Sequence, residues 1–323
     1  MVLLLLSCTL VADRLGTPRD PGDATEHVFT VPKGATARSL GNSLEAESIV
    51  DDAEHFRLYV RLKGEGGCIK AGRFRLRPDM SAAQILDTLC GPPMPEDVPF
   101  TVVEGWRIRE IDQALASAGL APAGAYVAAT GSAAKYTAPF PLPDGSLEGY
   151  LFPETYHVTP DRFVVETFVQ RQLDKLAERF YLPHKAEVDS GRGMRDVVIM
   201  ASMLEREEPT PTQRSLVAGI LWKRLDHGWK LGVDATSRYT LDEWNDRVAF
   251  LDRLRDPNDP YNTRLRDGLP PTPIGNPSLP SLEAALAPVE SEYWYYLHDA
   301  AKILHPGRNA AEHEALRRKY SVY

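Results

Sequence analysis

Apolar residues fill nearly every position from Val197 to Leu204 in the stretch DVVIMASMLEREE, Asp196–Glu208. A run that is apolar all the way round predicts a helix buried in a domain core. Asp196 is its predicted N-cap, and Pro209 ends it. Four charged residues close the run: Glu205, Arg206, Glu207 and Glu208. A partly desolvated carboxyl at such a helix end suits general acid catalysis, although a solvated helix end is the simpler interpretation.

A small α+β module is predicted for residues 27–95. Its hydrophobic pattern gives the order strand, helix, helix, strand, helix, with Ser81 as the N-cap of the last helix. The order resembles the LysM type of carbohydrate-binding module, and a structural spacer is the alternative. The corresponding segments are HVFTVPKG, ARSLGNSLEAESIV, AEHFRLYVRLKG, CIKAGRFRLRP and SAAQILDTLCG.

Residues 96–323 are predicted to form a larger mixed α/β domain around the buried helix. The fold class expected for the whole chain is therefore α+β. The elements predicted in this part are a strand at Pro99–Gly105, helices at Arg107–Ala118, Asp161–Tyr181, Leu282–Leu286 and Ala310–Tyr320, and a strand in SEYWYYLH.

Three segments outside the buried helix carry candidate chemistry. Leu147–Val158 mixes the acids Glu148 and Glu154 with aromatic rings, which suits sugar binding, although a loop packed on the core fits equally. LGVDATSRYTL places Asp234 and Thr236 in a predicted loop. The prolines of GLPPTPI, Gly268–Ile274, restrict the backbone and predict a rigid wall.

Composition narrows the class of protein. The chain has 323 residues, of which 43% are hydrophobic, enough for two domains with ordinary cores. A net charge of −8 disfavours a nucleic-acid binder held by phosphate contacts. The three cysteines, Cys8, Cys68 and Cys90, lack metal-ligand spacing. Cys68 and Cys90 could form a disulfide in an exported protein, and two free thiols fit as well.

Residues 1–12, MVLLLLSCTLVA, form an apolar run shorter than a membrane span, and residues 13–26 are a polar linker. The run is interpreted as the remainder of a membrane anchor or signal. The alternatives are a lipoprotein signal with Cys8 lipidated, or a buried strand or helix end.

Five motifs in order, LEGYLFPETY, ASMLEREE, LGVDAT, YNT and GLPPTPI, resemble the MltG (YceG-like) family of endolytic murein transglycosylases. The resemblance covers roughly His27 to Tyr320. It puts the family's catalytic glutamate on Glu205 and a second acid on Glu207. Glu154 stands where the family usually has Asp, and Ala235 where it has Pro.

The resemblance implies a lytic transglycosylase, a carbon–oxygen lyase that cleaves the β-1,4 bond between N-acetylmuramic acid and N-acetylglucosamine. Glu205 would protonate the leaving oxygen and then take the proton from the muramic acid 6-hydroxyl, which gives a 1,6-anhydro end. No metal or organic cofactor is called for. The residues expected to position the substrate or tune the acid are Glu207, Glu148, Tyr156, Asp234, Thr236, Tyr261, Asn262 and Thr263.

The implied partners are nascent peptidoglycan strands, penicillin-binding synthases and the inner membrane, with the catalytic domain on its outer, periplasmic side. Three alternatives remain open. They are a muramidase that hydrolyses the same bond, a peptidoglycan-binding scaffold without activity, and a cytosolic protein with an unrelated task if residues 1–12 are folded core.

Overall fold

The computed structural model describes residues 17–64, 66–94 and 96–320. The chain divides into two compact units, one up to Glu96 and one from Asp97 onward. The apolar run 1–12, with Cys8, lies outside the described residues, and so does the start of the linker. Within the described ranges, no helix is both long and apolar enough to cross a membrane.

The N-terminal unit pairs a two-stranded antiparallel sheet with three helices. Phe29 lies opposite Phe74 across the sheet, and both rings are buried among helix residues such as Leu44 and Phe56. Ser81 caps the last helix, because its hydroxyl accepts a hydrogen bond from the Gln84 amide. The order predicted from sequence is the order observed, whereas the LysM-like identity stays a prediction. The elements are β1 (His27–Val31), α1 (Ala37–Ala46), α2 (Ala53–Lys63), β2 (Gly72–Leu76) and α3 (Ala82–Cys90).

Cys68 and Cys90 form a disulfide that joins the loop before β2 to the end of α3. Their Cα atoms are 5.0 Å apart, within the usual range for such a bridge. The sequence left this pairing open, and the structure contains the bridge.

The second unit surrounds one buried helix with shorter helices and two small antiparallel sheets. Phe100 pairs with Tyr156 in the β3–β4 sheet, and Leu297 pairs with His305 in the β5–β6 sheet. The strands are β3 (Val98–Thr101), β4 (Thr155–Val158), β5 (Tyr295–His298) and β6 (Leu304–Gly307). The helices are α4 (Ile108–Ser117), α5 (Ala125–Thr130), α6 (Val165–Leu176), α7 (Lys185–Ser190), α8 (Met194–Glu207), α9 (Arg214–Asp226), α10 (Asp234–Arg238), α11 (Arg247–Arg253), α12 (Leu279–Leu286) and α13 (Ala310–Tyr320).

Helix α8 is the centre of this unit's core. Its apolar residues from Val197 to Leu204 are all inaccessible to solvent, and so nearly is the polar Ser202 among them. It packs against α12 and α9, and its charged end emerges where those helices begin. The prediction of a core helix is confirmed, and the acidic residues at its end therefore have fixed surroundings.

Two local predictions in this unit are wrong. Gly193 is the N-cap of α8, and Asp196 lies in its first turn, because the helix begins at Met194, three residues before the apolar run. The segment after Val233 is the short helix α10, so Asp234 and Thr236 do not lie in a loop. The aromatic rings of Leu147–Val158 pack in the core, as the alternative interpretation of that segment had it.

Candidate active site

Glu205 and Glu207 leave the end of α8 on opposite sides. Residues two apart on a helix are separated by about 200°, so the two carboxyls reach different surroundings. Glu205 points toward Arg214 and Ser278, whereas Glu207 points toward Tyr296. The two carboxyls therefore differ in their chemistry.

The carboxylate of Glu205 is held by a cation and a serine. Arg214 donates from its two terminal nitrogens to the two oxygens of Glu205, at 3.2 and 3.1 Å. Ser278 donates both its amide, at 2.9 Å, and its hydroxyl to Oε2. The side chains of Glu205 and Arg214 are only 7% and 6% exposed. This arrangement is a buried ion pair that ties the end of α8 to the start of α12.

A glycine makes room for the Glu205 side chain. Gly105 has a φ of +75°, and a Cβ at this position would lie 3.3 Å from Cγ of Glu205. Exposed Glu104 precedes this glycine, and desolvation together with the charge of Glu205 raises its pKa. A larger side chain at residue 105 would therefore press on the Glu205 side chain.

Glu207 lines a polar cavity of about 520 Å³. The hydroxyl of Tyr296 donates to its Oε1 at 3.2 Å. Basic side chains make up half of its lining. The lining residues are Glu207, Arg224, Gly232, Asp234, Arg264, Tyr296, Leu297, His298, His313 and Arg317.

Burial and a neighbouring acid raise the pKa of Glu207 to about 7. Desolvation is the main cause, and the negative charge of Asp234 acts in the same direction, while His298, the Tyr296 hydroxyl and Arg264 oppose it. A carboxyl with this pKa is protonated in part of the molecules at neutral pH. It can both give and take a proton there, as general acid–base catalysis requires.

Glu208 is fully buried, so it is not the solvated end charge that the sequence suggested. Its Oε1 accepts from the Thr210 amide at 2.7 Å, and its Oε2 lies 2.8 Å from Nε2 of His298. His298 also lines the Glu207 cavity. Glu208 thus fixes both the turn after α8 and one wall of that cavity.

Glu148 is 2% exposed and joins three segments. It accepts from the Ile108 amide at the start of α4, from the Tyr239 hydroxyl at 3.2 Å and from Asn276 Nδ2 at 3.3 Å. Burial raises its pKa to about 7, more than these hydrogen bonds lower it. Glu148 borders a separate cavity of about 440 Å³, lined also by Arg107. The structure does not bring Glu148 into the cavity of Glu207.

Asp234 shares the Glu207 cavity at the start of α10. It forms an ion pair with Arg264, whose Nε lies 2.6 Å from its Oδ1. Asp234 therefore places a second negative charge near Glu207, and the positive charge of Arg264 offsets much of its effect. Of the predicted supporting residues, Asp234 is therefore the one placed with Glu207.

Three other predicted site residues, one in α10 and two in the loop after α11, have partners within the protein. The hydroxyls of Thr236 and Thr263 lie 3.1 Å apart, and the Val233 amide donates to Thr263 at 3.0 Å. The Asn262 amide group donates to the carbonyls of Arg253, Leu254 and Asp256. All three side chains are almost wholly buried. They hold the loop in place and do not face the cavity.

The two predicted tyrosines also have structural neighbours. Tyr156 is 3% exposed, donates to the Phe152 carbonyl at 2.7 Å and lies edge-on to Phe168. Tyr261 lies 2.8 Å from the Thr272 hydroxyl and packs on Tyr239, which bonds to Glu148. Their contact with a substrate stays a prediction.

Sequence reasoning missed the residues that hold the acids. Arg214 lies nine positions after Glu205, and Ser278 and Asn276 follow directly after the GLPPTPI motif, in GNPS. Polar residues next to a recognised motif could have indicated them. Tyr296 and His298 lie in a strand dense in aromatics, where their alternation with core residues gave no distinct signal. In the part of the chain that the structure describes, no three His, Cys, Asp or Glu side chains are placed to hold a metal ion.

Comparison with known proteins extends these observations. The model of the YceG-like family matches residues 29–319. The chain is 25% identical to the endolytic murein transglycosylase of Bacillus subtilis, over 98% of this chain and 91% of that protein. It is 25% identical to a protein of the same name from Streptococcus pneumoniae, over 88% of this chain, and spans only 57% of that protein.

The fold is also that of a solved structure. A YceG-like protein from Listeria monocytogenes superposes with a TM-score of 0.56 over 90% of this chain and 99% of that one, at 23% sequence identity. This likeness concerns the fold, a mixed α/β arrangement. Since the family model covers nearly the whole chain, the chain belongs to the YceG-like family.

Proposed function

We propose that the chain is an endolytic lytic transglycosylase of peptidoglycan, in which Glu207 transfers the proton. Three observations support this proposal. The chain belongs to the YceG-like family, and its relatives in Bacillus subtilis and Streptococcus pneumoniae bear that enzyme name. The observation that carries the choice of residue is the Glu207 carboxyl, which lines an open cavity with a pKa of about 7.

The geometry favours Glu207 over Glu205, the residue suggested by the sequence. Oε2 of Glu205 accepts three hydrogen bonds, and Arg214 also donates to Oε1. These contacts occupy both oxygens of Glu205 with protein donors. Glu207 has one neutral donor, Tyr296, and faces space for a substrate.

In the proposed reaction a single carboxyl first donates a proton and then takes one up. Protonated Glu207 donates to the oxygen that leaves the N-acetylmuramic acid carbon, and the β-1,4 bond to N-acetylglucosamine breaks. The resulting carboxylate takes the proton of the muramic acid 6-hydroxyl as that oxygen closes on its own anomeric carbon. The product is a 1,6-anhydro end, no water is consumed, and elongation of the nascent strand stops. Closure within one sugar gains from proximity.

A second carboxylate in the cavity makes a muramidase the alternative. Hydrolysis commonly uses two carboxyl groups, one as acid and one to activate water or attack. Asp234 is the available partner, but Arg264 pairs with it at 2.6 Å. The pairing favours the route that needs Glu207 alone.

The test is product analysis by mass spectrometry after incubation with peptidoglycan strands. We expect anhydro ends from the wild type and a loss of about 10²- to 10⁴-fold in rate for Glu207→Gln at unchanged melting temperature. Glu205→Gln is the matched control on the same helix turn, and we expect it to lose stability more than rate per folded molecule.

Three results would change the proposal. An active Glu207→Gln protein beside a folded but inactive Glu205→Gln protein would return the acid to Glu205. Products heavier by one water would identify a muramidase. Strand binding without any product would identify a scaffold.

We also propose that residues 1–12 belong to an anchor that holds the protein at the inner membrane, directly or through lipidated Cys8, with the catalytic unit outside and near penicillin-binding synthases. The Cys68–Cys90 disulfide supports an oxidising compartment. Fusion of the N-terminal segment to an export-dependent reporter tests this placement, and a reporter that stays inactive would oppose it.

A further inference from the structure

Two tryptophans form an aromatic pair on the surface of the second unit. The rings of Trp229 and Trp294 have centroids 4.6 Å apart and planes inclined by 34°. His227 meets the Trp294 ring edge-on, and the Lys223 ammonium lies 4.7 Å from its centroid. Trp294 is thus enclosed by neighbours, whereas 42% of Trp229 is exposed. Trp229 is the member of the pair that can receive a ligand.

The backbone fixes the position of Trp229. Helix α9 ends at Asp226, and Gly228 turns the chain with a φ of +68°. The Trp229 amide then donates to the Arg224 carbonyl at 2.8 Å. A ring presented by a hydrogen-bonded turn loses little freedom when it binds a ligand, which favours binding.

Arg224 connects this pair to the Glu207 cavity. It lines that cavity, and its Nε donates to the Trp294 carbonyl at 2.8 Å. Its guanidinium lies 5.6 Å from the Tyr295 ring and 5.8 Å from the Tyr296 ring, and Tyr296 bonds to Glu207. Arg224 therefore contacts both Trp294 and the wall of the Glu207 cavity.

A second cavity borders the pair through its other neighbours. It measures about 320 Å³, and Lys223 and His227, which contact Trp294, form part of its wall. Arg192 and Asp226 form a bidentate ion pair in the same wall, with both distances at 2.7 Å. An aromatic surface with charged and polar groups at its rim is the usual composition of a site for a sugar, whose ring faces are apolar and whose edges carry hydroxyls.

We propose that Trp229, backed by Trp294, is a sugar-binding platform that extends the Glu207 site along the glycan strand toward this second cavity. The inference rests on the proposed function, because it takes the strand to be cut at Glu207. A strand that reaches from Glu207 to Trp229 occupies the platform, and a shorter fragment leaves it empty. The enzyme therefore prefers long strands, as cleavage within a strand requires.

Two measurements test the platform. The first is the binding of peptide-free glycan strands to Glu207→Gln protein, with and without Trp229→Ala, so that cleavage does not interfere. We expect Trp229→Ala to raise the dissociation constant for long strands about 3- to 10-fold, and Trp229→Phe to raise it less. Leu182→Ala, at an exposed residue outside both cavities, is the control and leaves binding unchanged.

The second measurement is the ratio of kcat/KM on long strands to kcat/KM on a tetrasaccharide. Trp229→Ala in the otherwise wild-type protein should lower this ratio by the same 3- to 10-fold. Equal binding of long strands with and without the tryptophan would overturn the platform even where anhydro products confirm the activity. Absence of anhydro products would overturn the activity, and the binding comparison would still decide whether Trp229 contacts glycan.

Discussion

Arg214 and Glu205 form a bidentate ion pair, with one guanidinium nitrogen on each carboxylate oxygen at 3.2 and 3.1 Å. Nε of the same arginine donates to the Glu208 carbonyl at 3.0 Å. The Arg214 side chain therefore bonds both to the Glu205 carboxylate and to the backbone at the end of the buried helix α8. The pair contributes to the stability of the fold, because removal of either partner leaves a buried charge.

Arg214→Ala should lower the free energy of unfolding by about 3–5 kcal/mol, since it leaves Glu205 charged and unpaired in the interior. Urea unfolding followed by circular dichroism measures this loss. The control is Arg308→Ala, which breaks an exposed pair with Glu312 and should leave the free energy of unfolding almost unchanged. Equal losses for the two variants would contradict the structural role of the buried pair.

The pH–rate profile should have a high-pH limb, in which the rate falls above pH about 7 because Glu207 loses its proton. Tyr296→Phe removes a hydrogen bond that lowers the pKa of Glu207, so the limb should move to higher pH. Asp234→Asn removes a negative charge that raises this pKa, so the limb should move to lower pH. Profiles of kcat/KM for both variants check the signs. Shifts in the same direction would exclude Glu207 as the titrating group.

Glu148 should make stability depend on pH. Burial raises its pKa from 4.5 to about 7 in the folded protein, so the folded state binds this proton more tightly than the unfolded state. The resulting stability is fully present below pH about 4.5 and is lost as the pH rises through 7. Glu148→Gln keeps a hydrogen-bond acceptor and stays neutral. The melting temperature of this variant should therefore fall less than that of the wild type between pH 5 and 8, and the difference between the two falls should be roughly 5 °C. Parallel curves for the two proteins would refute this role.

The Cys68–Cys90 bridge closes a loop with a sequence separation of 22 residues. The double variant Cys68→Ser, Cys90→Ser should lose about 2–4 kcal/mol of stability in the N-terminal unit, since the bridge restricts its unfolded chain. Hydrogen exchange of the full-length protein resolves the two units. Reducing agent should cause the same loss of stability in the wild type and leave the stability of the variant unchanged. A loss of stability confined to the second unit would contradict the prediction.

Sequence patterns were most informative where neighbouring residues along the chain determine the local structure. The run from Val197 to Leu204 could only be a core helix, and Ser81 followed by Gln84 defined a cap. The pairing of Glu205 with Arg214 could not be obtained in this way, because a charge at a helix end fits both solvent and a buried partner. Its position relative to Ser278 depends on how distant segments pack, which local periodicity does not encode.

The aromatic segment illustrates the same limit. Tyr156 and Tyr150 fit a sugar site and a core equally by composition, and packing placed both in the core. Exposed Trp229 lies in HGWKLG, next to a motif but outside it, and sequence alone gave it no distinction.

Asn276 accepts from the Gly149 and Leu151 amides, donates to the Trp106 carbonyl and reaches Glu148, so partners up to 170 positions away meet at one side chain. Contacts that span so much chain form late, because loop closure must precede them. During synthesis from the N-terminus, the segments around Trp106 and Gly149 wait for residue 276 before their hydrogen bonds can form. A nascent chain therefore cannot complete the hydrogen-bond network around Glu148 until most of it has been made.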